Sequence, residues 1–336
     1  MKSTLFILIS LLVFTACSQG DSLNIYTSRH YDTDLELYDR FTEETGISIN
    51  LIEGGSDELI ERISSEGINS PADVVITVDA GRLWRAKEAG VLQSFQSDAL
   101  NEIIPQELRD DEGYWVGLSQ RVRGLVYSTE RVRPDELQGY WELGEEQWSG
   151  RLCVRSSGNI YNQSLVASLI ESHGLEETEA WAERLVSNFA RAPQGGDTDQ
   201  IKAVAAGLCD VALVNHYYLA RLINSDQASD REVAQQVAIF FPPSEFGGTH
   251  VNISGAGIAK YAPNYDHAVR FIEYLATPDA QALFSVGNME FPISDKVELP
   301  TVLEQFGDFQ SDLVNVSSYG ENNPAAVRLM DRAGWR

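Results

Sequence analysis

Short apolar runs alternate with amphipathic ones along most of the chain. Residues 23–27 (LNIYT) predict a strand, and residues 33–45 carry Leu37 and Phe41 at helical spacing before Gly46. Residues 47–52 predict a second strand. A helix follows over 56–66, with Leu59, Ile60 and Ile63 on one face. Residues 73–77 (DVVIT) predict a buried strand, and the helix at 80–89 stops at Gly90. Three strand–helix units in succession predict a parallel sheet with helices on its faces. Strands at 124–128, 151–154 and 211–214 and helices at 161–173, 177–189 and 199–206 predict a second α/β series. The pattern closes with a strand over 251–259 and helices over 266–276 and 278–285. Gly255 and Gly257 inside the strand predict a close approach of another backbone. No low-complexity linker separates the two series, so strands near 114–120 and 251–256 are expected to cross between two lobes. A ligand cleft then lies between the lobes, near the carboxyl ends of the strands.

Charge and the first residues narrow the setting. The 336 residues hold 25 Lys and Arg against 50 Asp and Glu, a net charge of −25. So negative a surface excludes a nucleic-acid binder that works by neutralising phosphates. Lys2 precedes the apolar run 5–14, which is too short to span a membrane. With Thr15-Ala16-Cys17 it reads as an export signal over residues 1–16, followed by a polar tether over 17–22. The cysteine after small residues resembles the lipobox of bacterial lipoproteins, which implies a periplasmic protein lipid-anchored through Cys17. The plainer reading is an incidental Cys beside a leader that is simply removed. Cys153 and Cys209 remain, an even pair that in an exported protein reads as a disulfide.

Enzyme templates are missing. The sequence contains no Gly-x-Ser-x-Gly, no His-Glu-x-x-His and no Gly-x-x-x-x-Gly-Lys, so an enzyme is the weaker class. The informative residues are aromatic. Tyr31, Tyr161 and the pair Tyr217–Tyr218 all stand at strand-to-helix junctions, the edge where such folds bind ligands. Taken singly, each also reads as an ordinary tyrosine with a buried ring and a wet hydroxyl. Strand alternation places Tyr26 differently, in the packing.

Long segments of the chain resemble the ferric-iron-binding solute-binding proteins of bacterial ABC transporters, in particular their cyanobacterial-type branch. They are residues 24–34 (NIYTSRHYDTD), 70–83 (SPADVVITVDAGRL), 159–164 (NIYNQS), 200–207 (QIKAVAAG) and 215–218 (NHYY). The resemblance implies an α/β, two-lobed type 2 periplasmic binding fold hinged by crossing strands. The first lobe is expected at 23–118 and 252–298, the second at 119–251 and 299–336 with C-terminal helices. It further implies Fe³⁺ held in the cleft by Tyr31, Tyr161, Tyr217 and Tyr218, with His30 as a fifth or conditional ligand, and no catalysis. The expected partners are a membrane permease with its ATPase, and the protein is expected to be a monomer. His216 replaces a small residue of the family and is expected to face solvent. Fe³⁺ is a hard ion that favours anionic oxygen, and its charge can remove a phenol proton near neutral pH. Four phenolates around a trivalent ion leave an excess negative charge, for which Arg29, Arg123 and Arg221 are candidate counter-charges. Arg123 is alternatively a holder of a synergistic anion such as carbonate. The rival reading is a binding protein for another small solute: a polyamine, a sugar or an oxyanion.

Overall fold

The structure is a computed structural model that describes residues 21–29 and 31–336, so the leader, Cys17 and His30 lie outside the described residues. Its strands are β1 (Ser22–Thr27), β2 (Ser48–Glu53), β3 (Val74–Val78), β4 (Leu92–Gln93), β5 (Trp115–Ser128), β6 (Leu152–Cys153), β7 (Val211–Asn215), β8 (Val237–Phe240) and β9 (Val251–Ala259). They join in the order β2-β1-β3-β9-β5-β7-β6, with β4 on β9 and β8 on β5. The first three run parallel, as repeated strand–helix–strand units require. β9 is antiparallel to both β3 and β5.

The two long strands make the crossing. β5 pairs with β9 through Trp115–Val122, then with β7 through Arg123–Tyr127. One continuous strand therefore leaves one half of the sheet and enters the other. The glycines of β9 meet their expected neighbour. A Cβ on Gly255 would lie 2.6 Å from the carbonyl oxygen of Val116, and one on Gly257 would lie 2.7 Å from that of Tyr114. No side chain fits at either position, so β5 and β9 lie closer than larger residues would allow.

The apolar pattern is buried largely as predicted. Leu23, Ile25, Val74 and Ile76 of the parallel strands pack with Leu37, Phe41 and Leu59 of the helices over them. A smaller cluster holds Val126, Cys153, Ile201, Val204, Val214 and Leu219. Cys153 and Cys209 are joined there, with Cα atoms 5.8 Å apart. β6 is shorter than the predicted 151–154, because only Leu152 and Cys153 find partners on β7. The short strands β4 and β8 and the helix Ala228–Ala234 were not legible in the apolar pattern. Near the end of the chain, the helix Ser317–Glu321 packs on both Ala80–Glu88 and Ile160–His173. Tyr319 donates to the carbonyl of Val251 at the start of β9, at 2.9 Å.

Candidate functional site

All four tyrosines sit where a helix begins. Tyr31 is the N-cap residue of Asp32–Thr45, just beyond β1. Tyr161 is the second residue of Ile160–His173, where the Asn159 side chain accepts from its backbone N–H at 3.1 Å. Tyr217 and Tyr218 lie in the first turn of His216–Ile223, directly after β7. Consecutive helical residues point about 100° apart, and the pair divides accordingly: Tyr217 is fully buried and Tyr218 half-buried. Their rings lie 4.6 Å apart.

An arginine gathers these side chains. Nη2 of Arg121, on β5, donates to the hydroxyl of Tyr161 at 3.0 Å and to that of Tyr217. The Tyr217 hydroxyl also accepts from Asn215 Nδ2 at 2.9 Å. Arg221, one helical turn after the Tyr217–Tyr218 pair, places its guanidinium 5.0 Å from the ring centres of both Tyr31 and Tyr217, and 5.9 Å from that of Tyr218. Its Nη2 donates to the carbonyl of Asn288 at 3.1 Å. Arg29 lies 4.9 Å from the Tyr31 ring centre. Tyrosines from distant parts of the chain thus share one cluster of positive charge.

Two carboxylates hold Arg29 and Arg121. Glu290 accepts from Arg121 Nη1, from Arg29 Nη1 at 3.1 Å, from Ser254 Oγ at 3.0 Å and from Ser119 Oγ. Asp34 takes Arg29 Nε at 2.9 Å and Nη2 at 3.2 Å. Burial opposes the charge on Glu290, but Arg29 and Arg121 outweigh it and hold the carboxyl down at about 2. Arg121 is raised against its own burial by Tyr217, Glu290, Tyr161 and Tyr31, and so stays charged. The tyrosines respond unequally. Burial pushes Tyr31 up, yet Arg121, Arg29 and Arg221 prevail over both burial and Glu290, and its phenol falls below the ordinary value. Tyr217 and Tyr218 are pushed upward, chiefly by burial and by the other tyrosines.

Arg29 and Arg221 therefore stand beside the tyrosines, whereas Arg123 does not touch their hydroxyls. Its guanidinium is held by Asn215 Oδ1 at 2.9 Å, by Asn162 Oδ1 and by the Leu213 carbonyl at 3.2 Å, with Asp197 at 3.6 Å. It supports Asn215 from behind. Arg121 takes the place expected for Arg123, because residues two apart on a strand share a face and the earlier one lies where β5 still pairs with β9. Period-two alternation admits either residue, and only the crossing point separates them. Glu290 carried no local signal at all. An isolated bridge between Gln120 and Phe291 brings it beside Arg121. His216 is fully buried instead of solvent-facing. Its Nδ1 lies 3.1 Å from the backbone nitrogen of Val122, and its ring centre 4.5 Å from that of Phe291. Burial holds its pKa down at about 4, so it is neutral at physiological pH. Tyr26 is buried, its hydroxyl on the Glu66 carboxylate.

Residues 27–282 match the family model of bacterial extracellular solute-binding proteins. The chain belongs to that family. Among its relatives, the iron uptake protein A1 of Synechocystis sp. is 50% identical over 318 residues, which are 95% of this chain and 88% of that protein. The Fe(3+)-binding periplasmic protein of Serratia marcescens is 27% identical, over 95% of this chain and 92% of its own. A Trichodesmium protein designated IdiA or FutA, solved in complex with iron and citrate ligands, superimposes with a TM-score of 0.92. It is 55% identical, over 94% of this chain and all of that one. This solute-binding protein has the two-lobed type 2 periplasmic binding fold that its sequence implied. The tyrosine cluster stands at helix starts beyond β1, β6 and β7, the edge at which an α/β sheet takes its ligand.

Proposed function

We propose that this protein is the Fe³⁺-binding component of an ABC iron-uptake transporter, and that Tyr31, Tyr161, Tyr217 and Tyr218 are its iron ligands. The observation that carries the reading is the convergence of the Tyr161 and Tyr217 hydroxyls on Arg121, with Tyr31 and Tyr218 against Arg221. Phenolic oxygens are hard donors suited to a trivalent ion. Buried arginines offset the negative charge that four phenolates leave after the ion is neutralised. A polyamine binder would need acidic side chains facing the ligand, and here Glu290 and Asp34 are already consumed by Arg29 and Arg121.

In the proposed cycle, Tyr161, Tyr217 and Tyr218 of the second lobe collect the ion first. Closure about β5 and β9 then adds Tyr31, with His30 as a further ligand from the same segment. In this reading the lobes are 23–118 with 252–298 and 119–251 with 299–336. An anion such as carbonate can complete the coordination sphere, as citrate accompanies iron in the Trichodesmium relative. Arg29 and Arg221, which lie against the tyrosine rings, are the candidates to hold such an anion, because Arg123 is engaged by Asn162, Asn215 and Asp197. The protein performs no catalysis and works as a monomer that delivers its cargo to a permease with its ATPase. Export and lipidation at Cys17 keep it at the periplasmic face of a membrane, with the Cys153–Cys209 disulfide formed there.

Purified protein given Fe³⁺ is expected to turn orange-red through phenolate-to-iron charge transfer, and a Tyr217→Phe/Tyr218→Phe variant to lose the band. Protein that stays colourless with Fe³⁺ but binds a polyamine, sugar or oxyanion would establish the rival reading.

A further inference from the structure

Asp79 follows β3 and N-caps the helix Ala80–Glu88 with φ 77° and ψ 122°. A non-glycine residue pays conformational energy for such a backbone, so the surroundings must hold it there. They do so from three sides. Its backbone N–H donates to the Ile253 carbonyl at 2.8 Å, and the next residue, Ala80, donates to Asn252 Oδ1 at 2.9 Å; both acceptors are on the crossing strand β9. Its Oδ1 accepts from the Gly81 N–H at 2.9 Å and from the hydroxyl of Ser164 at 2.7 Å. Asp79 and Ser164 are both buried, and Asp79 Oδ2 has no hydrogen-bond partner among the described residues.

The partner is what gives this contact a role. Ser164 lies one turn after Tyr161 on the helix Ile160–His173, whereas Asp79 lies at the carboxyl end of β3. β3 is the parallel neighbour of β1, the strand that leads to Tyr31. The two halves come within ordinary van der Waals range here: a Cβ on Gly81 would lie 3.5 Å from Ile160 Cδ1 and 3.7 Å from Ser164 Oγ. A carboxylate–hydroxyl bond thus connects the half carrying Tyr31 to the helix carrying Tyr161, beside the strand about which the halves are joined.

We propose that Asp79 is a positioning residue for ferric capture, tying the Tyr161 helix to the Tyr31 half so that the tyrosines are held together when the cleft is shut. This rests on the ferric reading above. Asp79 does not touch the ion; it acts through Ser164 on the helix that presents Tyr161.

The test compares Ser164→Ala, Asp79→Asn and the double variant with the unaltered full chain, each loaded with Fe³⁺. Ala is the best helix former, so Ser164→Ala keeps its helix. At saturating iron it should show the same charge-transfer band, because every tyrosine remains. Release to excess EDTA, followed by stopped-flow absorbance, should be about tenfold faster, as expected for loss of a charge-assisted hydrogen bond. Asp79→Asn retains an acceptor and tolerates positive φ, so its release should quicken less. The double variant should release iron no faster than Ser164→Ala, since the two residues share a single interaction. Release at the unaltered rate with the band intact would overturn the proposal, as would single effects that simply add. A change confined to the melting temperature of the iron-free chain would assign Asp79 a structural role and overturn it too. If the unaltered protein developed no band, the ferric reading itself would fall, a result distinct from all of these.

Discussion

Arg121 donates to the hydroxyl of Tyr161 at 3.0 Å from within the crossing strand β5, while its other Nη atom is held by Glu290. A residue of the crossing strand is therefore also the counter-charge of the tyrosine cluster. Any movement of β5 relative to Ile160–His173 changes the field at the hydroxyls.

Arg121→Met should weaken ferric binding by about 10- to 100-fold at neutral pH, the size expected for losing charge-assisted hydrogen bonds to two hydroxyls. A chelator competition followed at the charge-transfer band measures it. An unchanged affinity would show that the ion alone sets the ionisation of the phenols. Arg123→Met, by contrast, should act mainly on folding, since its partners are Asn162, Asn215 and Asp197.

Glu290 is a buried acid between two buried arginines. Replacing it by Gln should destabilise the iron-free protein by about 3–5 kcal/mol in urea denaturation, because Arg29 and Arg121 lose the charge between them. The pH dependence has a definite sign. The folded carboxyl is held at about 2, below its ordinary value of 4.5, so the unfolded chain binds the proton first. This contribution is complete above the ordinary value and fades as pH falls from there toward 2. Between those limits, Glu290→Gln should show a shallower loss of stability than the unaltered chain.

The bond between Cys153 and Cys209 closes a loop of 56 residues in sequence. A Cys153→Ser/Cys209→Ser variant should lose about 4 kcal/mol by the loop-entropy relation, seen as a lower melting temperature. Reductant should lower the melting temperature of the unaltered protein to that of the variant. The cluster it staples includes Val214 and Leu219, on either side of the Tyr217–Tyr218 pair. Iron release should therefore quicken in the variant as the temperature nears its transition.

Gly255→Ala tests the crossing itself. The added carbon would meet the Val116 carbonyl oxygen at 2.6 Å and Leu83 Cδ1 at 2.7 Å. β5 and β9 must then separate, and the iron-free protein should lose about 1–3 kcal/mol, the usual range for overpacking. Stability equal to that of the unaltered chain would mean that the strands can spread without cost.

Much of the molecule could be read from one dimension. Alternating apolar runs and helical spacings announced the parallel strands and most helices. The two glycines of β9 announced a close neighbour. The positions of Tyr31, Tyr161 and Tyr217–Tyr218 at strand-to-helix junctions marked the edge at which the tyrosines gather. These are local properties: a period, a cap or a turn depends on residues within a few positions of one another. What could not be read there is which charges face the tyrosines. Arg121 and Arg123 share a strand face, and only the exchange of partners from β9 to β7 decides which of them meets the hydroxyls. Glu290 is one acid among many until the Gln120–Phe291 bridge carries it to Arg121. His216 has a polar side chain, but packing against Phe291 and Val122 places it in the core. By itself, then, the sequence determined the elements and the placing of the tyrosines at helix starts, because these follow from short-range periodicity and turn chemistry. The tertiary structure alone decided the electrostatic frame, because Coulombic partners depend on distances between segments that local sequence does not encode.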